Sequence, residues 1–158
     1  MLETERLLLR AVAITDVTNL QAIYGDPQVM RYASDPAFMH ESAYVQTVAS
    51  IHRYLLEDQG IEWGVVLKSS AVMVGVVGLH HFEGVQAEIG CLLAREYWGR
   101  GLMREAVLAM QGFAPGVGLA RLHAEIDAGN VRSERLFAGL GFVQTGDVWI
   151  KHLSVPGC

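Results

Sequence analysis

The chain has 158 residues, 51% hydrophobic and 18% charged, a balance that can bury a core and excludes intrinsic disorder. Lys and Arg number 12 against 17 Asp and Glu, a formal charge of −5, which argues against a basic surface for nucleic acid. The two cysteines, Cys91 and Cys158, make no disulfide framework; the charged opening Met1–Arg6 is unlike a signal peptide, and no apolar run approaches bilayer length.

Leu7-Leu8-Leu9, between Arg6 and Arg10 and continued by Ala11-Val12, reads as a first strand. Thr15 or Asp16 can cap a helix through Tyr24, and Gly25-Asp26-Pro27 ends it. After a loop with Ser34-Asp35-Pro36, a second helix is predicted from Ser42 to Glu57, with Tyr44, Val48, Ile51 and Leu55 on one face. Trp63–Leu67, Val72–Leu79 and Val85–Leu93 are β-forming runs. Joined by turns at Lys68-Ser69-Ser70 and Phe82-Glu83-Gly84, they predict an antiparallel meander. From Gly101 the period is helical, with Leu102, Met103, Ala106, Val107, Met110 and Phe113 in one stripe that ends at Pro115-Gly116. Leu119–Ile126 reads as a strand with Leu122, Ala124 and Ile126 on one face. Asn130 opens a short helix carrying Leu136, Phe137 and Leu140, which Gly141-Phe142 closes. Val143–Leu153 supplies a last strand or hairpin bearing Trp149. The order β-α-α-β-β-β-α-β-α-β predicts an α/β domain, a mixed sheet with helices on its faces. One cytoplasmic domain over residues 1–158, with neither a nucleic-acid nor a membrane partner, is expected.

Gly99-Arg100-Gly101 stands between a strand and an amphipathic helix. Glycine lets backbone amides approach a ligand closely, and the first amides of a helix lack internal partners. With the helix dipole these make a site for a phosphate or diphosphate, to which Arg100 and Arg104 can add charge; a plain tight turn satisfies the same pattern. The Walker pattern is missing. A dinucleotide fingerprint fails because Arg104 stands at the third glycine position and Gly116-Val117-Gly118 precedes a strand.

Four blocks together resemble the GNAT superfamily of acetyl-CoA-dependent N-acetyltransferases, and within it the RimJ/RimL-like branch. They are Thr4-Glu5-Arg6-Leu7-Leu8-Leu9-Arg10, then Val74-Gly75-Val76-Val77-Gly78-Leu79. Next comes Ala87-Glu88-Ile89-Gly90-Cys91-Leu92-Leu93 leading into Tyr97-Trp98-Gly99-Arg100-Gly101. Last is Asn130-Val131-Arg132-Ser133, continuing to Gly139-Leu140-Gly141-Phe142. The fold this implies is a mostly antiparallel central sheet with helices on both faces. On the family's coenzyme motif, Q/R-x-x-G-x-G/A, Trp98 takes the first position, similar to the RimJ/RimL-like branch, and Gly101 takes the glycine. Met103 departs from the final small residue.

The resemblance implies direct transfer of an acetyl group from acetyl-CoA to a primary amine. Trp98, Gly99, Arg100, Gly101, Leu102 and Met103 would surround the diphosphate, and the amides of Cys91, Leu92 and Leu93 would face the thioester and pantetheine. Gly90 would favour a bulge there. Glu88 is the expected base, its carboxyl raised by partial burial. Ser133 is the expected acid, because Phe137 stands where many relatives carry a tyrosine. Asn130 would cap its helix and touch the pantetheine. Cys91 reads as a small core or cleft residue, since a nucleophile would need an activating base. The branch favours the α-amine of a protein or peptide as acceptor, with a small amine as the alternative. A non-catalytic acyl-CoA sensor is the rival reading that Met103 and Phe137 sustain. The resemblance also leaves the last strand available to pair with a second copy as a homodimer.

The six histidines show no zinc spacing, and no metal site is expected. His80 and His81, adjacent on a strand, should face opposite sides; either could line the acceptor cleft. Trp63, Trp149, Tyr32 and Tyr44 are candidates to shape the pocket, or simply core.

Overall fold

The computed structural model describes residues 1–33 and 35–154, so Cys158 lies outside the described residues. Its strands are Leu2–Glu3 (β1), Leu7–Ala11 (β2), Gly60–Leu67 (β3), Val72–Glu83 (β4), Gln86–Leu93 (β5), Arg121–Glu125 (β6), Val143–Thr145 (β7) and Val148–His152 (β8). They form one sheet in the order β1-β2-β3-β4-β5-β6-β8-β7. Neighbours are antiparallel throughout except β5 and β6, which run parallel. The helices are Val17–Tyr24 (α1), Glu41–Leu56 (α2), Leu102–Phe113 (α3) and Val131–Gly139 (α4).

Alternation along the strands sends side chains to two cores. Leu7, Leu9, Val77, Leu79, Ile89 and Leu122 pack beneath α3 and α4. Val12, Val66 and Val76 pack beneath α1 and α2. The stripe of α3 is as expected, with Leu102, Met103, Ala106, Val107 and Met110 buried. The face of α2 is shorter than its period suggests. Tyr44, Val48 and Ile51 are buried, but Leu55, in the last turn before the chain enters β3, is 49% exposed.

Two strands outrun their apolar stretches. β3 begins at Gly60, ahead of Trp63, and β4 continues through His80 and His81 to Glu83. Ladder hydrogen bonds extend them regardless of polarity: Gly60 pairs with His80 and Glu83 with Gln86, although His81, Phe82 and Glu83 are exposed. No register shift occurs at Gly90, where a bulge was expected. The shift falls between His80 and Glu83 instead, and His81 there has φ +50°. A non-glycine residue in the left-handed region is strained, and here it supplies the extra residue of the bulge.

Asp16 does not cap α1 forward. Its carboxylate reaches back and accepts from the Ala13 N–H at 2.8 Å, while Arg10 Nη1 and Nη2 donate to its two oxygens at 2.8 and 2.9 Å. The Arg10 guanidinium, opposed by burial and helped by the Ala13 amide, holds the Asp16 carboxyl below the usual carboxylate range. Asp16 is 4% exposed, and its removal takes both carboxylate contacts from the partly exposed Arg10 guanidinium, leaving it the Ala11 carbonyl. Asp16→Asn is expected to cost about 1–3 kcal/mol near neutral pH. A carboxyl whose folded value is depressed contributes fully above its unfolded value of about 3.9, and the contribution is lost as pH falls through the folded value. Urea unfolding of both proteins should therefore show a gap at neutral pH that closes on acidification.

Candidate active site

β5 and β6 are paired only where Gln86–Glu88 meet Arg121–His123. Beyond that point the strands part, and a cavity of about 530 Å³ opens between them. Past Glu88, the edge of β5 that faces the gap has backbone groups with no partner strand, ready to bind an extended ligand. A Cβ on Gly90 would meet nothing within 4 Å, so the floor is open at this residue.

At the mouth lies the glycine turn. Gly99 has φ +80° and Gly101 φ +74°, a conformation that L side chains resist. Gly101 is the N-cap of α3 and offers no side chain, so the first amides of the helix remain free for an anion. The turn is tied to the start of the chain through Glu105. Its carboxylate accepts from Thr4 Oγ1 at 2.5 Å, the Arg6 N–H at 2.8 Å and Arg6 Nε at 2.7 Å, and Arg6 Nη1 donates to the Arg100 carbonyl at 2.9 Å. Partial burial opposes the charge on Glu105, but the hydrogen bonds from Thr4 and Arg6 outweigh it and hold the carboxyl below its usual range. Met103 does not crowd the turn. It is 7% exposed, and its Cε lies 3.3 Å from where a Cβ on Gly75 would stand, so that glycine makes room for the longer side chain. Free amides, positive potential and a clear approach fit the diphosphate of a coenzyme.

Deeper in, the cavity is lined by Cys91, Leu92, Leu93, Trp98, Asn130, Ser133 and Phe137. Trp98 Nε1 donates to the Leu93 carbonyl at 2.8 Å, and the Arg132 guanidinium lies 3.2 Å from the centre of the Trp98 ring. Asn130 Oδ1 accepts from the Ser133 N–H at 3.4 Å and caps α4. Phe137 is 3% exposed and packs edge-on to Phe142 with ring centres 5.0 Å apart, a packing role that needs no hydroxyl. Burial pushes the Cys91 thiol up to about 12.

Glu88 is the last residue of β5 paired to β6, at the apex of the fork. Its side chain is 23% exposed, and its Oε2 lies 2.5 Å from His81 Nδ1. The bulge brings His81 to Glu88 while His80 lines the cavity, so the expected opposition of the two imidazoles does not hold. Glu88, His123 and Glu125 also bring one donor atom each within 4.8 Å of one another. Sequence spacing could not reveal that grouping, because it spans two strands whose pairing is long-range. A second carboxylate, Glu62 on β3, lines the same cavity and accepts from Tyr24 Oη at 3.1 Å.

Every site residue expected from the sequence lines this one cavity except Arg100. The Arg100 side chain turns outward over the Tyr97 ring, 5.3 Å from its centre, and donates to the Glu96 carbonyl at 3.1 Å. Tyr24, Glu62, Glu125 and Arg132 also line the cavity, where no motif or spacing points to them, and so does His80, one of the two histidines expected for the cleft. Of the aromatic candidates, Tyr32 lines the cavity, whereas Tyr44 is core and Trp63 packs on Phe113 at 4.9 Å. Trp149 packs at the edge of the α3–α4 core.

A parted parallel pair with a diphosphate cradle at its mouth is the site of an enzyme that uses an acyl carrier. The chain matches the acetyltransferase (GNAT) domain over residues 6–143 and belongs to that family. It is 32% identical over 149 residues to the uncharacterized N-acetyltransferase p20 of Bacillus licheniformis, covering 92% of this chain and 83% of the relative. It is 29% identical over 153 residues to the uncharacterized N-acetyltransferase YoaA of Bacillus subtilis, covering 92% and 84%. Among solved structures, RimL, a ribosomal L7/L12 alpha-N-protein acetyltransferase in complex with coenzyme A, superposes with a TM-score of 0.84. The identity there is 17%, over 95% of this chain and 96% of that one. The expected α/β fold and family are thus borne out; the protein is an acetyltransferase whose co-substrate is acetyl-CoA. Among the described residues no helix is long and apolar enough to cross a membrane.

Gly101→Ala forces a side chain into left-handed backbone, a strain of about 1–2 kcal/mol. Coenzyme A affinity, measured by calorimetry, should fall roughly tenfold, the equivalent of about 1.4 kcal/mol. Gly112→Ala is the control: it lies inside α3 with open space at the Cβ position and should leave affinity within about twofold of wild type.

Proposed function

We propose that the protein moves the acetyl group of acetyl-CoA directly to a primary amine, with Glu88 as base and Ser133 as the proton donor to the leaving sulfur. The observation that carries this reading is a single cavity lined both by the turn at Gly99 and Gly101 and by Glu88 and Ser133. The bound coenzyme supplies an activated carbonyl. The chain must then do three things. An ammonium has no lone pair, so Glu88 takes a proton from the acceptor, directly or through a water. The contact with His81, whose side chain is 81% exposed, offers that proton a route toward solvent. Backbone N–H groups on the unpaired edge of β5 stabilise the negative charge that develops on the carbonyl oxygen. The Ser133 hydroxyl then protonates the departing sulfur.

Cys91 supports direct attack. A thiol pushed up to about 12 stays protonated near neutral pH and is a poor nucleophile. The non-catalytic sensor reading loses the support it drew from Met103, which Gly75 accommodates; the proton that Phe137 cannot give is the one assigned to Ser133.

Glu88→Gln should lower turnover by about 10²–10⁴-fold in a thiol-release assay while coenzyme A binds as before. Turnover near the wild-type rate would remove Glu88 from the role of base. Initial velocities measured against both substrates should intersect rather than run parallel, and mass spectrometry of the enzyme with acetyl-CoA alone should find no acetyl group on Cys91.

A further inference from the structure

Glu62 takes no part in the chemistry above, yet it lines the same cavity. On β3 it stands opposite Gly78, which stands opposite Gly90 on β5; one step along the ladders, Gly60, His80 and Glu88 form the next row. Cross-strand partners share a face, so Glu62, His80 and Glu88 lie on the same side of the sheet. Two strand spacings and a two-residue rise put the Cα atoms of Glu62 and Glu88 roughly 12 Å apart.

The floor around Glu62 is shaped by glycine. A Cβ on Gly78 would stand 2.5 Å from His80 Nε2, and one on Gly60 3.0 Å from His80 Nδ1. The imidazole therefore lies over the two glycines, beside Glu62. Tyr24 Oη donates to Glu62 Oε1, and among the described residues no hydrogen bond reaches Oε2. Tyr24 also stacks on Phe38 with ring centres 5.1 Å apart, and with Met30 the pair makes an apolar wall to the cavity. Burial pushes the Glu62 carboxyl up, an effect that His80 and the Tyr24 hydroxyl only partly offset. Glu62 is half-buried, and its free oxygen, open to the cavity, can accept from a cation that brings its own N–H donors. Asp35, Glu88 and Glu125 line the cavity too and add negative potential, set against Arg104 and Arg132 in the same lining.

We propose that Glu62 binds a second cationic group of the acceptor, so that the acceptor is an aliphatic diamine or polyamine with one nitrogen acetylated and another ammonium held on Glu62. This rests on the reading that the amine is acetylated beside Glu88. In the transfer a bond forms between the acceptor nitrogen and the acetyl carbonyl carbon and the carbon–sulfur bond breaks; the ammonium nitrogen gives up two protons, one before attack and one as the tetrahedral intermediate collapses, while the sulfur gains one and the other passes to solvent. The hydrocarbon spacer matches the wall of Tyr24, Phe38 and Met30. A peptide would instead press polar backbone groups against those rings at a desolvation cost. Tyr32 Oη donates to the Gly129 carbonyl at 3.2 Å, joining the loop after α1 to the loop before α4, which favours a slim chain over a polypeptide.

The test compares cadaverine with pentylamine, and putrescine with butylamine, on wild type and Glu62→Gln. Wild type is expected to favour each diamine at least tenfold in kcat/KM, mainly through KM, and in Glu62→Gln the ratio should fall to within about threefold of unity. Equal use of diamine and monoamine by wild type overturns the proposal, as does a preference that survives the substitution or a serine- or alanine-initiated peptide used faster than any diamine. Calorimetric titration of the same amines into coenzyme-loaded wild type needs neither turnover nor a folded variant. At least tenfold tighter binding of the diamine supports the subsite, and equal binding refutes it. Selective diamine binding without thiol release would refute the transferase reading and leave the subsite standing.

Discussion

The pairing of β5 with β6 stops at Glu88 and His123, and the site depends on that stop. Two parallel strands that stayed in register to their ends would satisfy each other's backbone groups and leave nothing for a ligand to join. Parting them exposes an edge inside the molecule rather than at its rim. There an extended ligand can pair with it while the two flanking cores shield it from other chains. The same geometry decides what stands at the apex. Glu88 is the last residue held on both sides, by His80 across β4 and by His123 across β6, so its backbone is fixed while its carboxylate looks into the gap.

A fork is useful only if its prongs hold still. On one prong β5 runs into the glycine turn and α3, and α3 is anchored back to the first residues through Glu105, Thr4 and Arg6. That network explains why a charged segment at the start of the chain belongs with a coenzyme turn nearly a hundred residues later. The Arg6 side chain holds both the carboxylate of the helix and the carbonyl of Arg100, so it sets the turn relative to the helix start. On the other prong β6 leads to α4, whose first turn is capped by Asn130 and whose inner face is packed by Phe137 and Leu140.

The fold was legible in the sequence where local physics and tertiary packing agree. The α3 stripe, the meander and the Asn130 cap all follow from periodicity or a single side-chain oxygen, and the structure keeps them. Strand ends were less legible because hydrophobic runs mark where side chains are buried, not where ladders stop. That is why Glu62 and His80, polar residues just beyond the apolar stretches of β3 and β4, are not legible from the sequence as neighbours on one face. Arg100 illustrates the opposite error. A cation next to a phosphate turn invites a ligand role, but the left-handed glycines on either side turn its side chain outward onto Tyr97. The His81 bulge was hidden for a further reason: strand alternation holds only while register holds.

The glycines of β3 and β4 separate the two halves of the cavity chemically. Gly75 yields its Cβ space to Met103 on the face beneath α3, while Gly60 and Gly78 yield theirs to His80 on the opposite face. The first exchange keeps a long apolar side chain inside the core, so the coenzyme turn stays open. The second lays an imidazole flat, so the row from Glu62 to Glu88 is not blocked by a side chain standing up from β4. One strand thus serves both substrates by omission. The acyl carrier is met by amides and a helix dipole, which favour negative charge, whereas the far end is met by carboxylates, which favour positive charge. On the proposed reading, this difference in charge would sort the two ligands before any hydrogen bond is made. On the proposed mechanism, an amine drawn toward the carboxylate end would come to rest on the side of the fork where Glu88 stands.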